Sequence, residues 1–215
     1  MSDTLFSHAL TTPQRVANFM DVTYASLTTN QQLVLLRLCN AVTSYIENLT
    51  SRRYKLTTYT NEQYDSDGGD SLSLKQFPVT AVSSVQASSG TNSWDSVNSD
   101  NYDTDLNAGI IRGLGGFKFG RARAGFRVTY SAGYDFDNSA TFLGDTAAAD
   151  VEYAAMKMVV AAYQKRKDSG GVTSERIGDY SVSFSKVAFE DDEVSSILDK
   201  YGRLSVAGGF TPSVY

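Results

Sequence analysis

The chain has 215 residues, of which 41% are hydrophobic and 20% are charged, with a formal net charge of −5 and one cysteine. This composition is typical of a globular protein with enough apolar surface for a core, and it excludes an internal disulfide framework. No apolar run approaches the roughly 18 residues of a membrane span, the N-terminal stretch lacks a signal-peptide pattern, and the acidic balance argues against tight wrapping of nucleic acid.

Two helices are predicted in the first fifty residues. The run Thr11-Thr12-Pro13-Gln14 combines a cap residue with proline at the first helical position, which predicts a short helix over 13–21. A second cap at Thr28 precedes apolar residues spaced by three and four, which predicts a helix of about twenty residues that ends near Thr50. We expect its opposite face to be polar, with Arg37, Asn40 and Glu47 among its residues, and we expect Cys39 to be a buried free thiol.

The middle of the chain changes to the period of β structure. Strand patterns occur from Tyr54, in the alternating run 71–75, after Pro78, on both sides of a turn in 102–112, at 117–119 and at 126–130. The Asp- and Gly-rich run 65–70 is predicted to be a hairpin turn, and 92–101 a polar loop around Trp94. The block is therefore expected to be a small antiparallel sheet or barrel.

A third helix is predicted over 147–167. Its apolar stripe includes Val151 and Ala162, and its carboxylates and cations sit at the ends that the helix dipole favours. Gly170 and Gly171 are expected to close this helix. An extended arm or strand at 181–185, a short helix opened by the carboxylates of 190–193, and a tail over 208–215 follow.

These elements together predict an α+β fold that is mainly helical. We expect a helix pair and a long C-terminal helix packed together, with an antiparallel β-sheet or barrel as an insertion and an extended C-terminal arm. The corresponding domains are 1–53 with 145–204 for the helical core, 54–134 for the β insertion and 205–215 for a flexible tail.

Reactive constellations are not recognisable in this sequence, so we predict no enzyme activity, cofactor or metal. His8 is the sole histidine, which argues against a Ser–His–Asp or Cys–His site and a histidine-rich metal site. The aspartates of 65–70 resemble half of a calcium loop without its closing glutamate, so a plain turn is favoured. The glycines of 113–120 lack the Lys-Ser/Thr end of a phosphate-binding loop. The carboxylates of 190–193 are better explained by the helix dipole than by acid–base catalysis.

Two groups of residues are candidates for binding partners. A dense basic stretch could contact DNA or an acidic neighbouring surface, and the alternative is a solvated strand edge where charge prevents unwanted pairing; its residues are Lys118, Arg121, Arg123 and Arg127. The tail carries Phe210, Pro212 and Tyr215, which could anchor in a partner's pocket, and the alternative is a simply disordered end.

The order of these pieces resembles the head–tail connector (adaptor) proteins of tailed bacteriophages, over about residues 11–204. Matching segments are Ile46-Glu-Asn-Leu-Thr-Ser-Arg-Arg53, Phe77-Pro-Val79, Val128-Thr-Tyr-Ser-Ala-Gly-Tyr134, Asp150-Val-Glu-Tyr-Ala-Ala155 and Ile177-Gly-Asp-Tyr-Ser-Val-Ser183. The chain differs from many adaptors in having Gly144-Asp-Thr, rather than proline, before the third helix.

The resemblance implies a structural protein of the virion neck, present in the host cytoplasm during assembly. Such proteins form a ring, usually of twelve copies, beneath the portal protein. They extend the channel for double-stranded DNA without sequence-specific binding, and they dock the next neck, stopper or tail protein. On this reading the two long helices form the wall between copies, and the tail residues Phe210, Pro212 and Tyr215 meet the portal. The alternative is a virion-associated β-rich module that binds carbohydrate, through Trp94 and nearby tyrosines, or another protein.

Overall fold

The computed structural model describes residues 4–136, 146–168, 184 and 190–202. The chain divides into two compact units, a helical unit of Met1–Arg52 with Asp150–Tyr215 and a β unit of Arg53–Ala149. The α+β class is confirmed. The predicted predominance of helix is not confirmed, because β strands build the second unit.

The helices begin where the cap residues predict. They are α1 (Pro13–Phe19), α2 (Thr29–Thr50), α3 (Thr146–Asp168) and α4 (Asp192–Tyr201). The Thr12 side chain accepts a hydrogen bond from the Arg15 backbone N–H, and Thr28 and Gln31 form a reciprocal capping box at α2. Asp191 caps α4 by accepting from the N–H groups of Glu193 and Val194. The expectation that these carboxylates serve the helix start is thus confirmed.

The core of the helical unit forms around α3. This helix buries one broad face, as its apolar stripe predicts, with Val151, Ala154, Ala155, Met156, Met158, Val159 and Ala162. The apolar stripe of α2 is buried as predicted, and Cys39 within it is a free, fully buried thiol. Burial raises the pKa of Cys39 to about 12, so this thiol is unreactive at neutral pH.

The polar face of α2 differs from its predicted exposure. Asn40 is buried, and its side chain accepts from the Phe6 N–H at 2.9 Å and donates to the Thr4 carbonyl at 2.9 Å. Farther along the helix, Thr43 accepts from the Leu10 N–H, and Glu47 lies 3.6 Å from His8. The N-terminal leader therefore covers this face, because its backbone groups are paired by the polar side chains of the helix.

The β unit consists of two antiparallel sheets that share one core. The strands are β1 (Thr57–Ser66), β2 (Ser71–Ser73), β3 (Val79–Gly90), β4 (Ser93–Ser96), β5 (Tyr102–Asp105), β6 (Ile110–Gly113) and β7 (Ala122–Ala132). The order is β1-β7-β3-β4 in one sheet and β2-β6-β5 in the other. Their inward side chains form a single cluster, which includes Leu72, Val85, Ile111, Phe119, Phe126 and Val128.

Three local predictions in this unit are wrong. The run 65–70 is not a hairpin turn, because β1 pairs with β7 and β2 pairs with β6. Residues 93–96 are not loop but the edge strand β4, which pairs with β3. Residues 117–119 are not a strand, although Phe119 is fully buried in the core. The predicted strand–turn–strand of 102–112 is confirmed as β5 and β6.

Candidate partner-binding surfaces

A groove runs along the part of α3 that the core leaves accessible. It has a volume of about 480 Å³ and is lined by Phe19, Tyr153, Lys157, Val160, Ala161, Gln164, Glu190 and Asp191. On α3 the lining residues recur every three or four positions, so they form one stripe of the helix. The floor is mostly apolar and the rim near α4 carries carboxylates, which is the lining expected for an inserted apolar segment with cationic neighbours.

Aromatic side chains form one end of this groove. Phe19, at the end of α1, is 41% exposed although it is a large apolar residue. Its ring meets the Tyr153 ring edge to face, with 5.8 Å between the centroids. With the half-buried Tyr153, the exposed Phe19 ring offers apolar area to a partner.

Lys157 is held by the carboxylates at the start of α4. Its ammonium lies 2.7 Å from Asp191 and 2.9 Å from Glu193, while the Tyr153 hydroxyl donates to Glu193 at 3.2 Å. These hydrogen bonds raise the pKa of Lys157 to about 12 and lower the pKa of Asp191. Among the described residues, Asp191 and Glu193 place two carboxylates against the ammonium of Lys157, so this side of the groove is acidic.

The predicted basic stretch lies in and before β7. Lys118, Arg121 and Arg123 are exposed, and within residues 4–136 none of them has a carboxylate within 4.0 Å. Arg121 lies beside Gly68, because a Cβ on Gly68 would be 3.4 Å from the Arg121 Cβ. Asp65 near the end of β1 and Asp67 just after it precede this glycine. Oxygens of those two aspartates accept backbone N–H groups of Ala124 and Gly69, at 2.6 and 2.9 Å.

Arg127 is separated from the other three cations by its contacts. Its Nε donates to Gln86 on β3, and its guanidinium lies 4.7 Å from the centre of the Trp94 ring. A strand-edge explanation does not fit this residue, because β7 lies between β1 and β3. The four predicted basic residues therefore divide into an exposed group of three and one arginine engaged within the sheet.

An exposed loop precedes the basic residues. Leu114 is 47% exposed, and a side chain placed on Gly115 or Gly116 would meet no atom within 4 Å. Both glycines have positive φ, which favours glycine at these positions. We call residues 114–123 the β tip; it combines an apolar side chain with three cations.

Inside the β unit, a carboxylate is held by two tyrosines. Glu62 accepts hydrogen bonds from Tyr64 and from Tyr130, the latter at 2.6 Å, and the two hydroxyls are 2.9 Å apart. Lys75 lies 3.5 Å from the same carboxylate. Burial, followed by the Glu62 hydrogen bond, raises the pKa of both tyrosines. This network follows a register shift in β1 between Tyr59 and Glu62, and sequence reasoning missed it.

These tyrosines and Trp94 lie on opposite faces of the four-stranded sheet. Tyr130 on β7 faces the core. Arg127 is three residues away on the same strand, so its side chain lies on the opposite face, where it contacts the Trp94 ring. The carbohydrate-binding alternative requires tyrosines beside Trp94. Tyr59, Tyr64 and Tyr130 do not form such a surface with it.

Other predicted binding residues and sites can be placed only in part. Phe210, Pro212 and Tyr215 lie outside the described residues, as do the glycines after α3 and the arm at 181–185 apart from the buried Phe184. In the described ranges, no three of the His, Cys, Asp and Glu side chains are grouped in a way that could hold a metal ion. In the same ranges, no helix is long and apolar enough to cross a membrane.

Comparison with known proteins adds the family. The model of the family described as "Head completion protein" matches residues 9–204, which include both units. The chain belongs to the head completion protein family. The predicted head–tail connector family is thereby confirmed, and with it a structural role at the junction of head and tail. No curated protein sequence matches the chain.

Three solved structures with a similar fold come from gene transfer agent particles. A chain in the neck of an empty gene transfer agent particle with C6 symmetry has a TM-score of 0.57 at 19% identity, with 90% of this chain and 91% of that chain covered. A chain in the virion of a native gene transfer agent particle has a TM-score of 0.54 at 19% identity, with coverages of 93% and 95%. A third, from the native neck with C12 symmetry, has a TM-score of 0.50 at 17% identity, with 92% of each chain covered. At these identities the likeness concerns the fold.

Proposed function

We propose that this head completion protein is an adaptor that forms an oligomeric ring beneath the portal, extends the DNA channel and docks the next neck or tail protein. The observation that carries the proposal is the family match, which spans 196 of the 215 residues, from 9 to 204, and so includes both units. The similar chains belong to necks solved with C6 and C12 symmetry, which supports a ring and makes twelve copies our expectation.

The proposed mechanism is assembly through surfaces, without catalysis. The groove along α3 supplies apolar area with an acidic rim, and the β tip supplies an apolar side chain with cations. Between the predicted long helices, α2 has its polar face covered by the leader, so α3 is the better candidate for the wall between copies.

The channel is proposed to let DNA pass rather than to hold it. The net charge of −5 disfavours a continuous cationic wall, and duplex DNA carries one negative charge per roughly 1.7 Å of axis. Binding of a 30-base-pair duplex, followed by fluorescence anisotropy, should be weak at physiological salt and absent at higher salt. Tight binding that persists at high salt would argue for a DNA-gripping protein instead.

The test of the ring is reconstitution with the portal protein encoded in the same genome. We expect negative-stain images of the mixture to show a layer of added density beneath the portal ring. Portal rings without added density, at protein concentrations where both partners are folded, would contradict the proposal. A control mixture with serum albumin excludes nonspecific deposition.

Deletion of residues 208–215 tests the proposed portal anchors Phe210, Pro212 and Tyr215. We expect the truncated chain to lose portal docking while its melting temperature stays within about 2 °C of the full chain. A large fall in melting temperature would instead assign the tail to the folded core. The substitution Pro212→Ala, with Phe210 and Tyr215 intact, is a milder control. It distinguishes a contribution of the two aromatic side chains from a contribution of the proline's restricted backbone.

A further inference from the structure

Two surfaces of this chain complement each other in charge and in apolar character. Among the described residues, the α3 groove has an apolar floor and a rim where the carboxylates of Asp191 and Glu193 face the ammonium of Lys157. The β tip presents Leu114, 47% exposed, with Lys118, Arg121 and Arg123 on the same ten-residue segment. Opposite charges that flank apolar contacts are the arrangement that steers and orients protein association.

The groove is accessible and already positioned to receive a side chain. Its aromatic pair, Phe19 and Tyr153, is fixed edge to face, and Lys157 is fixed by two carboxylates. Little side-chain entropy is then lost when a partner binds, because these groups are ordered beforehand. Val160 and Ala161 complete the floor with small side chains, which leaves room for an inserted residue.

The β tip is free to insert. The open surroundings of Gly115 and Gly116 leave space around the backbone beside Leu114, so a partner can approach it closely. Among the residues that the structure describes, the three cations of the tip have no salt-bridge partner, and the two nearest aspartates are engaged by backbone N–H groups.

We propose that the β tip of one copy docks in the α3 groove of a neighbouring copy, with Leu114 on the Phe19–Tyr153 floor and the tip cations on the acidic rim. This inference rests on the proposed ring and names the surfaces that form it. Because tip and groove are different surfaces, each copy has one of each, and the contact is heterologous. Repetition of a heterologous contact produces a closed ring when the rotation closes, whereas a two-fold pairing would stop at a dimer.

A second copy fits the two surfaces better than nucleic acid does. Phosphates would be attracted to the tip cations but repelled by the carboxylates of the groove, and they would leave Leu114 and the apolar floor in water. A second copy brings cations to the acidic rim and an apolar side chain to the apolar floor at the same time.

Disulfide trapping tests this contact in the full-length protein. The variants Leu114→Cys and Gln164→Cys place one thiol on the tip and one on the groove, and both positions are exposed. The native Cys39 is fully buried and gives a low background. We expect the mixed pair to form a disulfide dimer about tenfold faster than either variant alone, and also faster than Gln164→Cys mixed with Thr91→Cys, an exposed control on another part of the β unit.

Charge reversal tests the same contact with a second measurement. Glu190→Lys in the Gln164→Cys chain, or Lys118→Glu with Arg121→Glu in the Leu114→Cys chain, should each slow trapping about tenfold. Mixing the two reversed chains should restore much of the rate, because the charges are exchanged. Arg112→Glu, which changes an exposed cation outside the tip, is the control and should leave the rate unchanged. Thermal melts confirm that each variant is folded.

Equal trapping rates for the mixed, single and control pairs would overturn the proposed contact, as would reversed chains that do not recover when mixed. The reconstitution with portal distinguishes this failure from failure of the proposed function. Rings that form on the portal despite charge reversal would retain the adaptor and reject this interface. Loss of rings in the unmodified chain would reject the adaptor itself.

Discussion

The helical unit and the β unit differ in how each one is stabilised internally. The helical unit joins residues that are far apart in sequence, since α1 and α2 come from the first 52 residues and α3 and α4 follow the β unit. The β unit is one continuous stretch whose two sheets share a core. A core assembled from distant segments needs specific links between them, whereas a continuous unit can rely on its own strand pairing.

Named polar contacts supply those links in the helical unit. Arg15 on α1 donates from Nη1 to both oxygens of Glu152 on α3 at 2.8 Å, across 137 positions of sequence. Arg52, which follows α2, is buried and donates to the Tyr201 carbonyl at the end of α4. Arg52 therefore connects the end of α2 to the final turn of α4.

The largest expected effect comes from separating the units. A chain of residues 53–136 should keep the β-sheet circular dichroism signal and a cooperative melt, because all strand partners are present. A chain of residues 1–52 should be mostly unfolded, since its apolar stripe has lost α3. A disordered 53–136 fragment, or a stably helical 1–52 fragment, would contradict this comparison.

Removal of Glu152 should produce the next largest effect. Glu152→Ala leaves the Arg15 guanidinium without its carboxylate in a partly buried position, and we expect a loss of about 3–5 kcal/mol in the free energy of unfolding. Chemical denaturation measures this loss. Gln164→Ala, on the exposed part of the same helix, serves as control and should change stability by less than about 0.5 kcal/mol. An equally small effect of Glu152→Ala would show that this link does not hold the segments together.

In the β unit the corresponding experiment is Tyr130→Phe. The change removes the hydroxyl that donates to Glu62, and we expect a loss of about 1–3 kcal/mol in the free energy of unfolding. The effect should be smaller than that of Glu152→Ala, because Tyr64 still donates to Glu62 and the aromatic ring remains in the core. Tyr24→Phe is a matched control in the helical unit. A loss larger than that of Glu152→Ala would indicate that the β unit depends more on polar contacts than the helical unit does.

The smallest expected effect concerns pH and Lys157. Its pKa is raised in the folded protein from an ordinary 10.5 to about 12, so the stabilisation is complete below pH 10.5 and is lost as the pH rises through about 12. Between these limits Lys157→Met should lose less stability than the unmodified chain, by up to about 1 kcal/mol. Urea unfolding at pH 9, 10.5 and 11.5 measures the difference between the two proteins. Parallel pH profiles would indicate that the lysine is not stabilised by α4.

Helices were predictable from local signals in this chain. Thr28 and Gln31 form the capping box that their spacing predicts, and α3 begins and ends within one residue of the predicted 147–167. These signals are local because cap hydrogen bonds and dipole interactions lie within one turn. The polar Asn40 was predicted on an exposed face because its partners, Thr4 and Phe6, are more than thirty residues away.

The β unit was harder to predict because its pairing is not local. The aspartates and glycines of 65–70 have the composition of a hairpin turn, yet the strands on either side join different sheets. β4 has serines and an aspartate where a strand usually has alternating apolar residues, and an edge strand tolerates this because its outer side is in water. The basic stretch could be found from charge density, but the separation of Arg127 from the other three cations depends on Trp94 and Gln86, from other strands.

The chain enters the first strand of the β unit beside the point where it leaves the last strand. Lys55 bridges Tyr134, and the Gly133 backbone approaches so closely that a Cβ there would lie 2.7 Å from the Tyr54 carbonyl oxygen. Because these two points are close together, the residues between them can be replaced by a shorter connection, or by another module, with few changes to the flanking sequence.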